Sequence, residues 1–577
     1  MRRPRDLNLA ESPATEGFLL LCFFVLVSLF LTFPLVLHLK DSLPGHLADP
    51  LDSAWVINWN LHALSQDVRT IYQANVFYPL PNSLAYGEPV FGASLLALPV
   101  FAFTHNALII YNIAFLTTFV LCGFCGYLFV HQITGGRLGA ILAGLSFAYC
   151  PYRAFHMGHL NLLGNQFLPL LFLFVYRYIS QGQRKLDITG AAVSYFLLAL
   201  YSGYYVLYTI PIAISFIAPL VIARRNAIGW RRAGIHGGIA ALAVGVVVLL
   251  IYLPCLTIRD NGKALGRAFT DQLVYSAEPK DYLSVPDQCR NLIHMGFRRN
   301  RNGERALFPG ILPVVGLVIL ASWGSARSRI PAGVTKALVF CMVAAFLFSL
   351  GPLLDPDHKE SLKLPYYLLF RWIPGGGRLR VVARFGMYFG AAMAFLAGIA
   401  FHLVFSRIGR KMIRRPLFLG VLSFFAYEAS IFPFQFSHVP GAQNGPGTYQ
   451  KIAELPAETA LIELPMLEPP YRDGIYEYYS TFHWRRLVNG ARSSPYPSRQ
   501  VELRRLMKGF PSAASIAWLE AARVEYAHIN LGLWRSEKYP PIDPLLQPWS
   551  KDLTVVEQSP DAILIRLHPH DVPEPDD

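Results

Sequence analysis

Long apolar runs separated by short polar segments dominate the first three quarters of the chain. About 11 of these runs approach the roughly 20 residues that a helix needs to cross the hydrocarbon core of a bilayer. Helices are favoured over isolated strands because they satisfy their own backbone hydrogen bonds in lipid. The predicted spans are 18–37, 107–131, 137–150, 162–178, 187–202, 205–223, 233–254, 309–324, 333–352, 384–405 and 416–434.

Two of the apolar runs need separate treatment. The first, 18–37, follows Arg2, Arg3 and Arg5 like a signal peptide, but it is long and lacks a cleavage site with small residues, which predicts an uncleaved span. The run Pro89–Phe103 is short and interrupted by Pro99, which predicts an interfacial or re-entrant helix. If that run crossed the membrane, every later loop would change sides.

The pattern changes after about residue 435. Short apolar segments with period-two alternation predict strands at 460–465 and 524–530 and a hairpin at 553–567 around Ser559-Pro560-Asp561. Helical periodicity predicts helices at 500–508 and 513–522. We therefore expect a mainly α, polytopic membrane domain over 1–435, with a long first outer loop at 38–106, and a small extracytoplasmic α/β domain over 436–577.

Composition and charge support this division. Hydrophobic residues make up 53% of the 577 residues and charged residues 15%, whereas about 25% charge is usual in soluble proteins. The net charge of +14 is concentrated in short loops, which indicates membrane topology and not nucleic-acid binding. With the N-terminus in the cytoplasm, the inside segments hold Arg2, Arg3, Arg5, Arg137, Arg177, Arg184, Lys185, Arg224, Arg225, Arg231, Arg232, Arg327, Arg329, Lys336, Arg407, Arg410, Lys411, Arg414 and Arg415. The long outer loop 255–308 is basic too, but long loops follow this rule poorly.

Acidic residues follow the first predicted span, in the segment HLADPLDSAW (His46–Trp55). Asp49 and Asp52 lie at the predicted membrane surface, where ionisable groups are often functional. One of them could act as a general base or bind a metal ion. Alternatively, Asp49 caps a helix that has Pro50 at its first position, and Asp52 completes a capping box. Glu88 precedes the interfacial helix and is either a further site carboxylate or a solvated loop acid.

Aromatic and amide side chains follow the two acids on the same predicted helix. Trp55, Trp59 and His62 share one face at helical spacing, and Asn58 lies beside them. This arrangement is typical of interfacial anchoring, and it also suits stacking against a sugar. Trp55, Asn58 and Trp59 are therefore candidate substrate-binding residues.

Basic residues form two clusters on the predicted outer face. Arg153, His156 and His159 follow the third span, and Arg378, Arg380 and Arg384 lead into the tenth span, against the positive-inside trend. Both clusters could bind a lipid phosphate through charge-assisted hydrogen bonds. For the histidines the alternatives are hydrogen bonding to nearby loops or a zinc site, although the sequence reveals no further ligand at a suitable spacing.

Neither the cysteines nor the glycine triplet before Arg378 indicates a recognised motif. Cys122 and Cys125 form a C-x-x-C inside an apolar helix and read as small apolar residues. Cys255 and Cys289 share one outer loop and could pair in an oxidising compartment. The glycine triplet lacks the strand-loop-helix context of a nucleotide-binding loop.

This layout resembles the GT-C superfamily of integral-membrane glycosyltransferases. One span, a long outer loop that opens with acids, many further spans and an outer C-terminal domain carry the resemblance, and Asp49-Pro-Leu-Asp52 and Glu88 carry it in motif. The segments around Trp55 and Arg153 also look like those of poorly characterised bacterial membrane proteins. The resemblance implies that Asp52 or Asp49 is the catalytic acid. Because the acids are neither adjacent nor in an Asp-x-Asp motif, a need for a divalent cation such as Mg²⁺ or Mn²⁺, held by Asp49 and Asp52, stays open.

The resemblance implies a multi-pass enzyme of the bacterial inner membrane. It would move a sugar from a polyprenyl-phosphate donor to a glycan, lipid or protein acceptor outside the cytoplasm. Asp52 would deprotonate the acceptor, while the arginines stabilise the departing phosphate. The alternatives are a transporter or flippase of lipid-linked saccharide, which needs no base, and a non-catalytic glycan-assembly protein.

Overall fold

The computed structural model describes residues 13–260, 263–264, 269–322, 330–331, 333–354, 362–373, 377, 379–442, 447–492 and 496–568. Helices dominate up to residue 429. They are α1 (Pro13–Leu31), α2 (Ala48–Gln66), α3 (Phe91–Phe101), α4 (Ala107–Thr134), α5 (Arg137–Ala148), α6 (Pro151–Phe155), α7 (Leu160–Leu163), α8 (Leu168–Ser180), α9 (Lys185–Ala199), α10 (Gly203–Arg224), α11 (Trp230–Thr257), α12 (Phe269–Val274), α13 (Arg290–His294), α14 (Ile311–Ser322), α15 (Val334–Ser349), α16 (Tyr366–Trp372), α17 (Gly386–Arg407) and α18 (Lys411–Ala429).

Every predicted span overlaps one of these helices. Six helical segments of the described chain are long and apolar enough to cross a membrane, and others are apolar but shorter. The prediction of a polytopic helical protein is therefore confirmed. The boundaries differ in places: α1 ends at Leu31, and the span predicted at 162–178 begins as the short α7, followed by a 3₁₀ turn and then α8.

The run predicted to be interfacial forms α3. This helix has 11 residues, with Pro99 inside it. A helix of this length extends about 16 Å, roughly half the thickness of the hydrocarbon core. It packs against α2 and α4.

Glycines allow the central helices α4, α5 and α17 to pack closely. A Cβ atom on Gly139 of α5 would lie 2.3 Å from the carbonyl oxygen of Gly398 on α17. A Cβ on Gly144 of α5 would lie 2.3 Å from the carbonyl oxygen of Gly123 on α4. Small residues at such contacts bring helix backbones together, so van der Waals packing stabilises this part of the bundle.

Pairs of short strands lie in the loops, and a five-stranded mixed sheet lies in the tail. The strands are β1 (Ser42–Pro44), β2 (Arg259–Asp260), β3 (Lys263–Ala264), β4 (Ser284–Val285), β5 (Arg298–Arg299), β6 (Phe436–His438), β7 (Ala460–Leu464), β8 (Arg486–Leu487), β9 (Tyr526–Asn530), β10 (Leu553–Gln558) and β11 (Ala562–Leu567). The tail helices are α19 (Thr448–Glu454), α20 (Gly474–Ser480), α21 (Ser498–Met507), α22 (Ala513–Ala521), α23 (Leu531–Ser536) and α24 (Ile542–Leu546).

The tail sheet has the order β10-β11-β9-β7-β8. Strand β7 runs parallel to β8 and β9, while β11 pairs antiparallel with both β9 and β10. The predicted strands correspond to β7, β9 and the β10–β11 hairpin, and the two predicted helices to α21 and α22, which confirms the α/β character of the tail. The short elements α20 and β8 were not predicted.

The tail is joined to the first loop by backbone pairing. The N–H groups of Phe77 and Tyr78 donate to the carbonyls of Asn489 (2.9 Å) and Leu487 (3.0 Å). Strand β1 pairs antiparallel with β6, with Leu43 opposite Ser437. Helix α2 consequently lies between the membrane helices α3 and α4 and the tail helix α20.

Candidate functional site

Asp49 lies in the first turn of α2 and Asp52 directly after it, but neither caps the helix. The helix begins at Ala48, its N-cap position is Leu47, and no side chain caps it. The capping-box interpretation of the two acids is therefore wrong. Their carboxylates are instead engaged by two different parts of the protein.

Asp49 lines a cleft of about 220 Å³ between α2, the α6–α7 segment and the chain after α18. Its side chain is 64% exposed, and its Oδ2 lies 3.2 Å from Nε2 of His159. Among the described residues, Oδ1 has no hydrogen-bond partner. Asp49 is therefore a carboxylate that is held on one side and open to the cleft on the other.

Electrostatics keep Asp49 ionised. Partial burial works against the charge, but the hydrogen bond and charge of His159 and the charge of Arg384 outweigh it, so the pKa of Asp49 lies below its ordinary value. A carboxylate in this state can accept a hydrogen bond or a proton from a hydroxyl in the cleft.

Behind Asp49, polar side chains continue into the protein as a chain of contacts. Nδ1 of His159 lies 3.3 Å from Nδ1 of His156. Nε2 of His156 lies 3.6 Å from Oε2 of Glu304. Glu304 in turn accepts hydrogen bonds from Nε (3.1 Å) and Nη2 of Arg384. The chain joins the α6–α7 segment, the loop before α14 and the start of α17.

Burial has opposite consequences for the charges of two residues in this chain of contacts, His156 and Glu304. Desolvation lowers the pKa of His156 well below its ordinary value, so the imidazole is neutral. Desolvation opposes the charge of Glu304, but the charge and hydrogen bonds of the Arg384 guanidinium more than offset it and hold the pKa of Glu304 below its usual range. Arg384, predicted to bind donor phosphate, is thus already neutralised by Glu304.

His156, His159 and Glu304 are grouped closely enough to hold a metal ion. Their ligand atoms lie within 4.8 Å of one another. Nε2 of His156 is buried without a hydrogen-bond partner among the described residues. Two imidazoles and a carboxylate suit zinc and related transition metals. The residues present therefore fit a metal ion, and the cluster includes neither Asp49 nor Asp52, which were the sequence candidates.

Asp52 is engaged by the tail. Its Oδ1 accepts a hydrogen bond from Nε of Arg492 at 2.8 Å, and the two side chains are 29% and 1% exposed. The same guanidinium donates to the carbonyls of Leu84 (3.0 Å) and Glu88 and lies over the ring of Trp55. Arg492 thus connects the tail to α2 and to the loop before α3.

Asp52 differs from Asp49 in its electrostatics. Desolvation raises the pKa of Asp52 above its ordinary value, since the attraction of Arg492 is outweighed by burial and the nearby charge of Asp49. A second buried acid, Glu477 of α20, accepts a hydrogen bond from the N–H of Ala491 at 2.8 Å. Burial and the Asp52 charge raise the pKa of Glu477 well above its ordinary value. This side of α2 is a dense structural network.

Glu88, the third predicted carboxylate, lies between the loop before α3 and the α7 segment. Its Oε2 accepts a hydrogen bond from Nδ2 of Asn161 at 3.1 Å. Burial raises the pKa of Glu88, although hydrogen bonds from Ser202, Asn161 and the N–H of Gly203 counteract it. Glu88 therefore orders the surrounding loops, and Arg492 binds its backbone carbonyl.

The predicted phosphate-binding arginines that the structure describes have different partners. The Arg153 guanidinium is buried: it donates to the carbonyl of Leu163 (2.8 Å) and to Oδ1 of Asn165 (2.5 Å) and packs over Phe119. Arg380 is half-buried, and its guanidinium lies 4.9 Å from the ring centre of Tyr275. Arg378 lies outside the described residues.

The predicted substrate-binding residues are buried. Trp55 donates through Nε1 to Oδ1 of Asn75 (3.2 Å), and Trp59 donates through Nε1 to the carbonyl of Ile71 (2.8 Å). Asn58 donates to the carbonyl of Ala54 on its own helix (2.8 Å). All three side chains join α2 to its neighbours instead of facing the cleft.

Several residues of the site were not predicted. Glu304 and Arg492 come from segments distant in sequence, and Arg290 and His46 line the cleft beside Asp49. The outer loop 255–308 is basic although outer loops usually carry few basic residues. This is the sequence signal that points to Arg290. The possible disulfide between Cys255 and Cys289 is not formed in the described part of the chain.

Comparisons with known proteins give limited information. No protein-family model matches the sequence, and no curated protein matches it. Among solved structures, the chain is similar to ArnT from Cupriavidus metallidurans in the apo state, with 14% identity, a TM-score of 0.47 and coverage of 96% of this chain and 98% of that one. It is also similar to the oligosaccharyltransferase AglB from Archaeoglobus fulgidus in complex with an inhibitory peptide and a dolichol-phosphate, with 14% identity, a TM-score of 0.46 and coverage of 90% and 70%. At these values the similarities establish neither activity nor substrate for this chain.

Proposed function

We propose that the protein is a membrane glycosyltransferase that moves a sugar from a polyprenyl-phosphate donor to an acceptor hydroxyl. The observation that carries the proposal is the state of Asp49: an ionised, exposed carboxylate in a cleft, oriented by His159. Neither a flippase nor a passive assembly protein requires a general base, whereas transfer to a hydroxyl does. The resemblance of the sequence layout to the GT-C superfamily supports the choice of reaction.

In the proposed reaction, Asp49 is the general base. The acceptor oxygen attacks the anomeric carbon of the donor while its proton passes to the carboxylate of Asp49. The bond from the anomeric carbon to the phosphate oxygen breaks, and the polyprenyl phosphate leaves with the electron pair. Asp49 replaces Asp52 as the proposed base because Asp49 lines the cleft, whereas Asp52 is bound by Arg492.

The departing phosphate needs positive charge beside it. Arg290 and His46 line the same cleft as Asp49 and are the proposed phosphate ligands. A metal ion held by His156, His159 and Glu304 would supply further positive charge when bound. His159 also orients Asp49, since its Nε2 lies at hydrogen-bond distance from that carboxylate.

A lipid-linked donor fits the proposed location of the cleft. If the N-terminus is cytoplasmic, Asp49 faces the other side of the membrane, where nucleotide sugars made in the cytoplasm are not present. A sugar on polyprenyl phosphate can reach that side within the lipid. The apolar chain would then lie among the membrane helices and the sugar in the cleft.

The test is a transfer assay with purified protein in nanodiscs, a panel of radiolabelled polyprenyl-phosphate sugars and pooled glycan, lipid and protein acceptors. The wild type should form product, and Asp49→Asn should lower the rate about 10²–10⁴-fold, because that is the usual contribution of a general base. Asp67→Asn is the matched control, since Asp67 is an exposed acid just after the C-terminal end of the same helix.

The outcomes separate the possible functions. Product that requires Asp49 and not Asp67 supports the enzyme. Movement of the intact lipid-linked saccharide across the bilayer without transfer identifies a flippase, and saturable binding without turnover identifies an assembly protein. Wild-type turnover by Asp49→Asn would rule out the assigned base.

A further inference from the structure

A second histidine–carboxylate cluster lies outside the proposed active site. His38 and Asp41 follow the helical segment after α1, and His438 is the last residue of β6, after α18. Their ligand atoms lie within 4.8 Å of one another. Residues nearly 400 positions apart in sequence thus meet at the pairing of β1 with β6.

The distances within this cluster match those of a zinc site. Nδ1 of His38 and Nδ1 of His438 lie 3.4 Å and 3.5 Å from Oδ1 of Asp41. In a tetrahedral zinc site with bonds of about 2.0–2.1 Å, ligand atoms are about 3.3 Å apart. The observed separations are therefore close to those of ligands that share one ion.

The state of the donor atoms also favours a ligand. Nδ1 of His38 is buried and lacks a hydrogen-bond partner among the described residues. The His38 ring is held in place by stacking on Phe436, with ring centres 5.1 Å apart. Its approach to Oδ1 of Asp41 is long, at 3.4 Å, and an ion bound to both atoms would satisfy both of them.

Ser42 supplies a supporting hydrogen bond. Its Oγ donates to Oδ1 of Asp41 at 2.6 Å. The same Oγ lies 2.8 Å from Nδ1 of His438, and an ion bound to that nitrogen would displace this second contact while leaving the hydrogen bond to Asp41. Such groups around metal ligands fix their orientation and raise affinity. Ser42 itself is part of β1, so the backbone pairing and the cluster are built on the same residues.

We propose that His38, Asp41 and His438 form a zinc site that fastens the loop after the first helix to the chain leaving the last membrane-region helix. Two imidazoles and one carboxylate leave a fourth position for water. Imidazole ligands favour Zn²⁺ over Mg²⁺ or Ca²⁺. The ion would reinforce the β1–β6 pairing.

The position of the site connects it to the cleft. Directly after β1, the N–H of Gly45 donates to the carbonyl of Gln435 at 2.9 Å. Gly45 and Gln435 both line the cleft that holds Asp49. A bound ion would therefore fix the wall of that cleft without contacting the reacting groups.

The test measures zinc on the full-length protein in detergent. After chelation, reloading with Zn²⁺ and desalting, His38→Ala/His438→Ala should hold about one zinc per chain less than His294→Ala, whose exposed histidine lies elsewhere. Both variants keep the His156–His159–Glu304 cluster, so zinc bound there does not change the difference in zinc content between them. Ser42→Ala should weaken binding about 10–100-fold while keeping all three ligands.

A thermal measurement makes the test independent of how the alanine variants fold. Adding Zn²⁺ to chelated wild-type protein should raise its melting temperature, and Mg²⁺ should not. This shift should shrink in Asp41→Asn, which keeps the size of the side chain. Equal zinc content in the double variant and the His294→Ala control, or an equal zinc-induced shift in Asp41→Asn and the wild type, would overturn the proposal.

Discussion

Two aspartates near the start of α2 carry the same chemical group in opposite settings. Asp49 is mostly exposed, lines a cleft and is held by His159 from the neighbouring membrane-region segment. Asp52, three residues later, is held by Arg492 from the tail, a guanidinium that is 1% exposed. One carboxylate is available to a ligand, and the other joins two parts of the chain.

The comparison of Asp49 with Asp52 shows that the role of an acid depends on the side chain that binds it. His159 leaves one oxygen of Asp49 free and favours its charge. Arg492 adds bonds to the carbonyls of Leu84 and Glu88, so its ion pair with Asp52 is part of a larger junction. Asp49 is consequently the better candidate for chemistry, and Asp52 for assembly of the site.

Among the substitutions that distinguish Asp49 from Asp52, we expect Arg492→Ala to have the largest effect, a loss of stability. Removing one partner of a buried ion pair leaves a buried charge uncompensated, which costs about 3–5 kcal/mol; because Asp52 is partly exposed, we expect about 3 kcal/mol. The free energy of unfolding from denaturant titration, or the melting temperature where unfolding is irreversible, measures this.

A surface pair provides the matched control for that experiment. Arg486 and Glu458 form an ion pair whose side chains are 45% and 76% exposed. Exposed pairs contribute about 0–1 kcal/mol, so Arg486→Ala should change stability little. If Arg492→Ala is no less stable than Arg486→Ala, the junction assigned to Asp52 and Arg492 does not stabilise the fold.

The contrast between the two acids also marks what the sequence could predict. Apolar run lengths predicted the helices, and the strands at 460–465 and 524–530 followed from local alternation. The HLADPLDSAW segment predicted a helix that begins with both acids, and α2 begins there. Local pattern therefore predicted elements and the neighbourhood of the cleft.

What the sequence could not predict is which distant side chain meets each acid. Arg492 lies 440 positions after Asp52, and Glu304 lies far from Arg384 in sequence. Arg153 and Arg384 belonged to two predicted phosphate-binding clusters, yet Arg384 forms an ion pair with Glu304 and Arg153 binds Asn165. Burial and pairing depend on the tertiary fold, which composition does not encode.

A smaller effect is expected from His159→Gln, which acts on the Asp49 side. Glutamine can keep a hydrogen bond to Asp49 but carries no charge and cannot bind metal as imidazole does. Removing such an orienting group typically costs about 10–100-fold in activity or metal affinity. The transfer rate should fall by that factor while the melting temperature changes little. A rate equal to that of His105→Gln, an exposed histidine in another loop, would show that the imidazole of His159 contributes nothing beyond a hydrogen bond that glutamine can replace.

The smallest effect is a difference in how the two acids couple stability to pH. The pKa of Asp49 is lowered in the folded state, so its contribution is present above its ordinary value of 3.8 and is lost as the pH falls through the lowered pKa. The pKa of Asp52 is raised, so its contribution is present below 3.8 and is lost as the pH rises through the raised pKa.

Paired melting curves from about pH 4 to 7 test this opposition. As the pH rises, the wild type should lose stability relative to Asp52→Asn, because asparagine imitates the protonated acid that burial favours. Relative to Asp49→Asn, the wild type should gain stability from pH 4 and then stay level, because the Asp49 carboxylate is fully ionised. Since the two substitutions are chemically identical and three residues apart, opposite slopes would reflect the surroundings of the two acids: the charges of His159 and Arg384 at Asp49, and burial at Asp52. Parallel slopes would mean that these surroundings do not distinguish the two acids.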